Sequence, residues 1–290
     1  MSFEVKAGSP ALGGEIRNLD LRQPLDDATV ARLRDAWSAY LVLVFRDQRL
    51  TDQDLIRFSS HFGVCDRAPT NEASLKGPGH VPSLPKVTAI SNVVEDGELI
   101  GALGNDELVW HTDMSNLDEP SNASALYAIE LPKHGGGDTS FLNMYTAYET
   151  LPPSLEARIK DRHAIHDAIY TSAGTRRKGL DEIDDVRDNP GARHPMLRTH
   201  PVTGRTALFL GRRANSYIVG LPVEESEALL NEVWAHTIQD EFVYTHRWLP
   251  GDLVLWDNRC VMHRRGSFDS KDRRIMHRTQ LKGEVPYYAG

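Results

Sequence analysis

From residue 108 onward the chain is a series of short β-prone runs: 108–110, 125–129, 206–210, 241–244, 253–256 and 275–281. Turn residues such as Leu249-Pro250-Gly251-Asp252 separate them. Runs this short cannot bury a core singly, so they have to share one in a sandwich or barrel. Helical periodicity is confined to three places. Val30, Leu33, Trp37 and Tyr40 follow helical spacing behind Asp27, the expected cap. Leu55, Phe58 and Phe62 follow Thr51 and Asp54, which have the spacing of a capping box, and Gly63 ends that helix. Ala228, Leu229, Val233 and Trp234 follow Glu224, Glu225 and Glu227, acidic residues suited to a helix N-terminus. Residues 41–45 and 87–91 read as further strands. The expected architecture is mainly β with flanking helices, and 290 residues are enough for one domain over 1–290 with a single large core.

Two stretches break this pattern. Gly77, Pro78, Gly79, Pro82 and Pro85 interrupt residues 66–107, a length that reads as a lid or binding loop. Residues 172–194 crowd Arg176, Arg177, Lys178, Asp181, Glu182, Asp184 and Asp185 with few apolar anchors, and read as a second loop. The 33 Lys plus Arg against 41 Asp plus Glu give a net charge of −8 with no basic block, which excludes phosphate-backbone binding as the main task. No nucleic-acid partner is expected. No apolar run approaches the roughly 18 residues of a membrane span, and the N-terminus lacks the regions of a secretory signal, so a cytoplasmic protein with no membrane partner is expected. Cys65 and Cys260 are far apart, form no CxxC, and read as buried thiols without a role. His163 and His166 form HxxH with no third ligand nearby and read as satisfied polar or core histidines. Gly135-Gly136-Gly137 lacks the Lys-Ser/Thr of a phosphate loop.

Chemistry concentrates in Trp110-His111-Thr112-Asp113. On or at the end of a strand, period-2 geometry turns His111 and Asp113 to one face, where an imidazole nitrogen and a carboxylate oxygen reach one ion. His263, beyond Trp256-Asp257-Asn258-Arg259, is the candidate third ligand. Two histidines and one carboxylate leave positions open on iron(II), which suits oxygen activation. The competing reading is a core histidine hydrogen-bonded to its carboxylate neighbour. Arg274 and Arg278 are an even number of residues apart, so a strand would direct both into one cavity, where guanidinium groups clamp carboxylates bidentately. Against this stands a solvated basic turn after Asp269 and Asp272.

Taken in order, Trp110-His111-Thr112-Asp113, Gly136-Gly137-Asp138-Thr139, Trp256-Asp257-Asn258-Arg259 to His263, and Arg274 with Arg278 resemble the taurine dioxygenase/2,4-dichlorophenoxyacetate dioxygenase family. The resemblance extends to Leu19-Asp20-Leu21-Arg22 and Leu43-Val44-Phe45-Arg46-Asp47-Gln48, and so covers nearly the whole chain. It implies a double-stranded β-helix, or jelly roll, and oxidative decarboxylation of 2-oxoglutarate by O2 coupled to hydroxylation of a C–H bond. It implies that His111, Asp113 and His263 bind Fe(II), that Thr139 and Arg274 hold the distal carboxylate of 2-oxoglutarate, and that Arg278 meets the anionic group of a small substrate. Trp256 and Asn258 are expected to support these groups from behind. A homo-oligomer, dimer or higher, is expected.

Ala89-Ile90-Ser91-Asn92-Val93, Phe209-Leu210-Gly211-Arg212 and the 241–248 segment resemble the aryloxyalkanoate-degrading branch, which implies a carboxylate such as 2,4-dichlorophenoxyacetate. After Phe62-Gly63, the histidine and tyrosine that serve sulfonate in the taurine branch are replaced by Ala68 and Asn71, leaving Asn71 and Arg67 as candidate substrate contacts. The alternative within the class is a taurine, alkylsulfonate or sulfate ester dioxygenase. Outside it stand a zinc hydrolase, which has no need of a clamp at Thr139 and Arg274, and a non-catalytic metal-binding jelly roll.

Overall fold

The computed structural model describes residues 2–67, 84–104, 108–211 and 215–290. In chain order its strands are β1 (Glu4–Ala7), β2 (Gly14–Arg17), β3 (Val42–Phe45), β4 (Thr88–Ser91), β5 (Val94–Glu95), β6 (Glu98–Leu99), β7 (Ala102–Leu103), β8 (Leu108–His111), β9 (Ala123–Glu130) and β10 (Thr139–Asn143). They continue as β11 (His163–Ile165), β12 (Arg193–Pro195), β13 (Leu197–Thr199), β14 (Thr206–Leu208), β15 (Tyr217–Ile218), β16 (Val243–His246), β17 (Leu253–Asp257), β18 (Val261–Arg265) and β19 (Ile275–Leu281). The helices are α1 (Asp27–Tyr40), α2 (Asp52–Ser60), α3 (Met144–Glu149), α4 (Pro153–Ile159) and α5 (Val223–Thr237).

An eight-stranded sheet has the order β1-β2-β3-β17-β9-β19-β4-β7, and a four-stranded sheet has the order β16-β10-β18-β8. Pairing is antiparallel except at β2–β3 and β4–β7. Side chains from the two sheets share one core, which makes the fold the expected jelly roll. Alternation along β17 shows how the residues specify it: Val254 and Trp256 enter that shared core with Phe141 and Met262, while Leu253 and Leu255 face the other way onto Leu33 of α1 and Leu55 and Phe58 of α2. The large sheet is therefore buried on both faces, as the continuous apolar run of β3 also requires. Among the described residues no helix is long and apolar enough to cross a membrane.

Several local expectations need correction. Asp26, not Asp27, caps α1: it sits in extended backbone and its carboxylate accepts from Thr29 N at 2.7 Å. The 241–244 run starts as a strand only at Val243, because Asp240–Phe242 closes a 3-10 turn. In the expected lid, residues 68–83 and 105–107, including Ala68 and Asn71, lie outside the described residues. The described part is more regular than its glycines and prolines imply, since β4 and β7 join the large sheet and β5 pairs with β6. Likewise the 172–194 segment contains the 3-10 turn Val186–Asp188, with Asp185 as its cap, and ends by entering β12.

Candidate active site

The four-stranded sheet sets His263 of β18 directly opposite His111 at the end of β8, and the register shifts immediately after that pair. A bulge of this kind re-aims neighbouring side chains. The two imidazoles lie 4.2 Å apart between ring centroids. Asp113, two residues beyond His111, places Oδ1 3.7 Å from His111 Nε2 and 3.9 Å from His263 Nε2. All three residues are buried, and ligand atoms of the three lie within 4.8 Å of one another. His111 Nδ1 is 2.7 Å from the Val109 carbonyl, which only accepts, so Nδ1 carries the proton and Nε2 presents its lone pair.

Electrostatics favour the ligating forms. Burial above all, helped by His111 and Arg278 and opposed by Asp113, pushes His263 down to about 3, so its ring is neutral. Burial would raise Asp113, but Arg278, His263 and His111 outweigh it and hold the carboxyl well below its usual range. Two imidazoles and one carboxylate, gathered on one side, fit a divalent iron with open positions.

On the facing sheet Met276 and Arg278 of β19 point inward, as does Arg274, the residue just before the strand. Both arginines line the same cleft as His111, His263 and Thr139, walled by the apolar Ile90, Leu108 and Leu126. Arg278 Nη1 is 3.4 Å from Asp113 Oδ1. Arg274 is 1% exposed, donates only weakly from Nη2 to the Gly137 carbonyl at 3.4 Å, and has no hydrogen-bond partner for Nε among the described residues. Burial first, then neighbouring Arg265, pushes its guanidinium down to about 9 against the pull of Asp138. A buried cation held this way fits an incoming carboxylate. Thr139 Oγ1 accepts from Trp248 Nε1 at 3.0 Å, which leaves its hydroxyl hydrogen to donate elsewhere. The glycine-rich turn before it is explained by contact: Gly137 has φ +71° and a Cβ there would lie 3.2 Å from Arg274 Nε.

The residues foreseen around the metal and the 2-oxoglutarate clamp are thus brought together, as is Arg278. Arg67 is exposed, its backbone N–H donates to Asp66, and it does not line the cleft. Sequence reasoning missed Arg265, which lines the cleft from β18, and Ser124 of β9, whose hydroxyl lies 2.7 Å from Asp113 Oδ2. No local motif marks either residue. A second buried group, His200, Asp257 and Cys260, is a hydrogen-bond network already filled by protein groups. His200 Nδ1 accepts from Val202 and Thr203 N, its Nε2 meets Asp257 at 3.1 Å, and Arg259 grips both oxygens of Asp257.

Comparison with known proteins agrees with this geometry. The family model described as "Taurine catabolism dioxygenase TauD, TfdA family" matches residues 4–280. The alpha-ketoglutarate-dependent 2,4-dichlorophenoxyacetate dioxygenase of Cupriavidus pinatubonensis is 36% identical over 96% of this chain and 97% of its own. The alpha-ketoglutarate-dependent sulfate ester dioxygenase of Pseudomonas putida is 29% identical over 99% of this chain and 91% of its own. The crystal structure of AAD-2 with Mn(II) and N-oxalylglycine superposes with a TM-score of 0.78 at 31% identity, covering 99% of this chain and 100% of that one.

Proposed function

Because this chain belongs to the taurine catabolism dioxygenase TauD, TfdA family, we propose that its cleft holds Fe(II) on His111, Asp113 and His263, 2-oxoglutarate on Arg274 and Thr139, and the carboxylate of an aryloxyalkanoate on Arg278. The chain is a 2-oxoglutarate-dependent dioxygenase, and it uses Fe(II), 2-oxoglutarate and O2. Membership of a dioxygenase family decides against the zinc hydrolase and the non-catalytic jelly roll. When bound there, iron would let O2 act as the oxidant, one oxygen atom going into succinate as 2-oxoglutarate is oxidised and loses carbon dioxide, and the other into a substrate C–H bond.

What supports the site assignment is that Arg274, just before β19, and Arg278, within it, both line the cleft that His111 and His263 line. Two anionic molecules in one cleft repel each other, so each needs its own cationic clamp beside the metal, and Arg274 and Arg278 supply two. Arg274, the more deeply buried of the two, suits the cosubstrate, whose distal carboxylate also meets the free hydroxyl hydrogen of Thr139. Arg278, beside Asp113, anchors the substrate so that its neighbouring carbons lie next to the metal ligands; such anchoring converts indiscriminate oxidation into reaction at one position. Ile90, Leu108 and Leu126 give an aromatic ring an apolar wall. Hydroxylation of the carbon between ether and carboxylate gives a hemiacetal, whose collapse cleaves the ether.

A planar carboxylate matches the guanidinium fork better than a tetrahedral sulfur group does, and the aryloxyacetate relative is more similar than the sulfate ester relative. The test is succinate release with phenoxyacetates, taurine and an alkyl sulfate at equal concentration. Phenoxyacetates should give the largest release. Preference for the alkyl sulfate or taurine would replace the aryloxyalkanoate reading with a sulfur-ester or sulfonate one. Arg278→Lys keeps the charge but loses the fork, so it should raise the KM for the primary substrate and leave the 2-oxoglutarate requirement unchanged.

A further inference from the structure

Asp113 Oδ2 is not left to chance. Trp256 Nε1, a group that only donates, lies 2.8 Å from Asn258 Oδ1. That bond fixes which end of the Asn258 amide is oxygen, so Nδ2 faces Ser124 and donates to its Oγ at 3.1 Å. With its oxygen accepting from Asn258, the Ser124 hydroxyl turns its own hydrogen to Asp113 Oδ2, 2.7 Å away. Every bond in this chain runs one way, from indole to carboxylate, and Trp256, Asn258 and Ser124 are all buried. The fold supplies the register: Ser124 of β9 lies opposite Trp256 of β17, and Asn258 follows two residues later.

We propose that Ser124 is a positioning residue that, oriented by Trp256 and Asn258, occupies Asp113 Oδ2 and keeps Asp113 a one-oxygen metal ligand. The inference rests on the reading of His111, Asp113 and His263 as the metal site. Its physical content is coordination number: a carboxylate free to turn can chelate through both oxygens and close a position that cosubstrate or oxygen needs. With Oδ2 held by Ser124, Oδ1 alone faces His111, His263 and Arg278.

The experiment titrates metal-free protein with Co(II), followed by its visible ligand-field absorption, for the wild type, Ser124→Ala, Ser124→Thr and Asn258→Leu. Loss of such an outer partner typically weakens metal binding about 10–100-fold. Ser124→Ala should show a loss of that order together with a changed Co(II) spectrum, and Ser124→Thr, which restores the hydroxyl, should bind close to wild type. Asn258→Leu keeps the hydroxyl but removes the donor that orients it, so it should weaken binding by a smaller factor and decides the matter if Ser124→Ala does not fold. Wild-type affinity and spectrum in Ser124→Ala or Asn258→Leu, or equal losses in the alanine and threonine variants, overturn the role of Ser124 while leaving the metal site intact. Failure of the wild type itself to bind Co(II) or Fe(II) overturns the metal site and this proposal with it.

Discussion

A charged guanidinium that is 1% exposed, with no partner for Nε among the described residues and an arginine for its neighbour, makes Arg274 a cost to the ligand-free protein. Removing a buried charge in favour of an apolar side chain of similar volume is often neutral or stabilising. Arg274→Met should therefore leave the melting temperature of the ligand-free protein unchanged or raised. The same change should raise the KM for 2-oxoglutarate at least about thirtyfold, since a buried charged contact is worth about 2 kcal/mol or more. Steady-state kinetics beside a thermal melt separate the two effects, and a lower melting temperature with an unchanged KM would remove Arg274 from the clamp. At this scale legibility follows periodicity. The shared face of Arg274 and Arg278, and the approach of Asp113 to His111, follow from even spacing along the chain. Arg265 reaches the cleft and Ser124 reaches Asp113 only through pairing between strands far apart in sequence, which no local pattern reports.

Helix α2 shows what one element contributes to such a cleft without entering it. Thr51 and Asp54 close a reciprocal capping box at its start. The body of the helix is fastened to the back of β19, with Asp52 2.6 Å from His277 Nδ1 and Ser59 2.7 Å from Thr279. The strand that presents Arg278 inward, and that Arg274 leads into, thus has its outward residues His277 and Thr279 tied to α2. Thr51→Ala removes the cap and should cost about 1 kcal/mol of stability in urea denaturation. The anchors at Asp52 and Ser59 survive that change, so the KM for 2-oxoglutarate should stay at its wild-type value; a raised KM would show that the cap helps to position β19. This capping box was legible because all its parts lie within four residues. By contrast α3 and α4 were not foreseen, being only six and seven residues long, although Asn143 at the N-cap of α3 and Pro153 at the start of α4 were available signals. β10 and β18, at the centre of the small sheet, also lay outside the expected runs; in β18 the polar His263 and the charged Arg264 and Arg265 obscure the strand.

For the molecule as a whole, buried histidines couple the fold to pH. His194 of β12 lies 3.0 Å from both the Ser115 and the Leu117 carbonyls, tying the strand to the segment that follows Asp113. Burial lowers its pKa below the ordinary 6.5, against the pull of those carbonyls. His246 of β16 lies 3.0 Å from the buried Asp252, and burial, with Arg46 adding to it, lowers its pKa too despite that carboxylate. Both rings are neutral when folded, whereas in the unfolded chain they take up a proton near pH 6.5. As pH falls below 6.5 the unfolded state binds more protons, so the stability these groups contribute, present in full above that value, is lost progressively until the folded values are reached. The slope from each such histidine can reach at most about 1.4 kcal/mol per pH unit, where the unfolded ring is protonated and the folded one is not. Urea denaturation at pH 7.5, 6.5 and 5.5 should accordingly show little change over the first interval and a clear loss over the second. His194→Gln should flatten the second step, because glutamine still donates to one of the two carbonyls but does not titrate. A loss below pH 6.5 that is the same in His194→Gln and in the wild type would assign the acid sensitivity to other groups and leave His194 a purely structural tie.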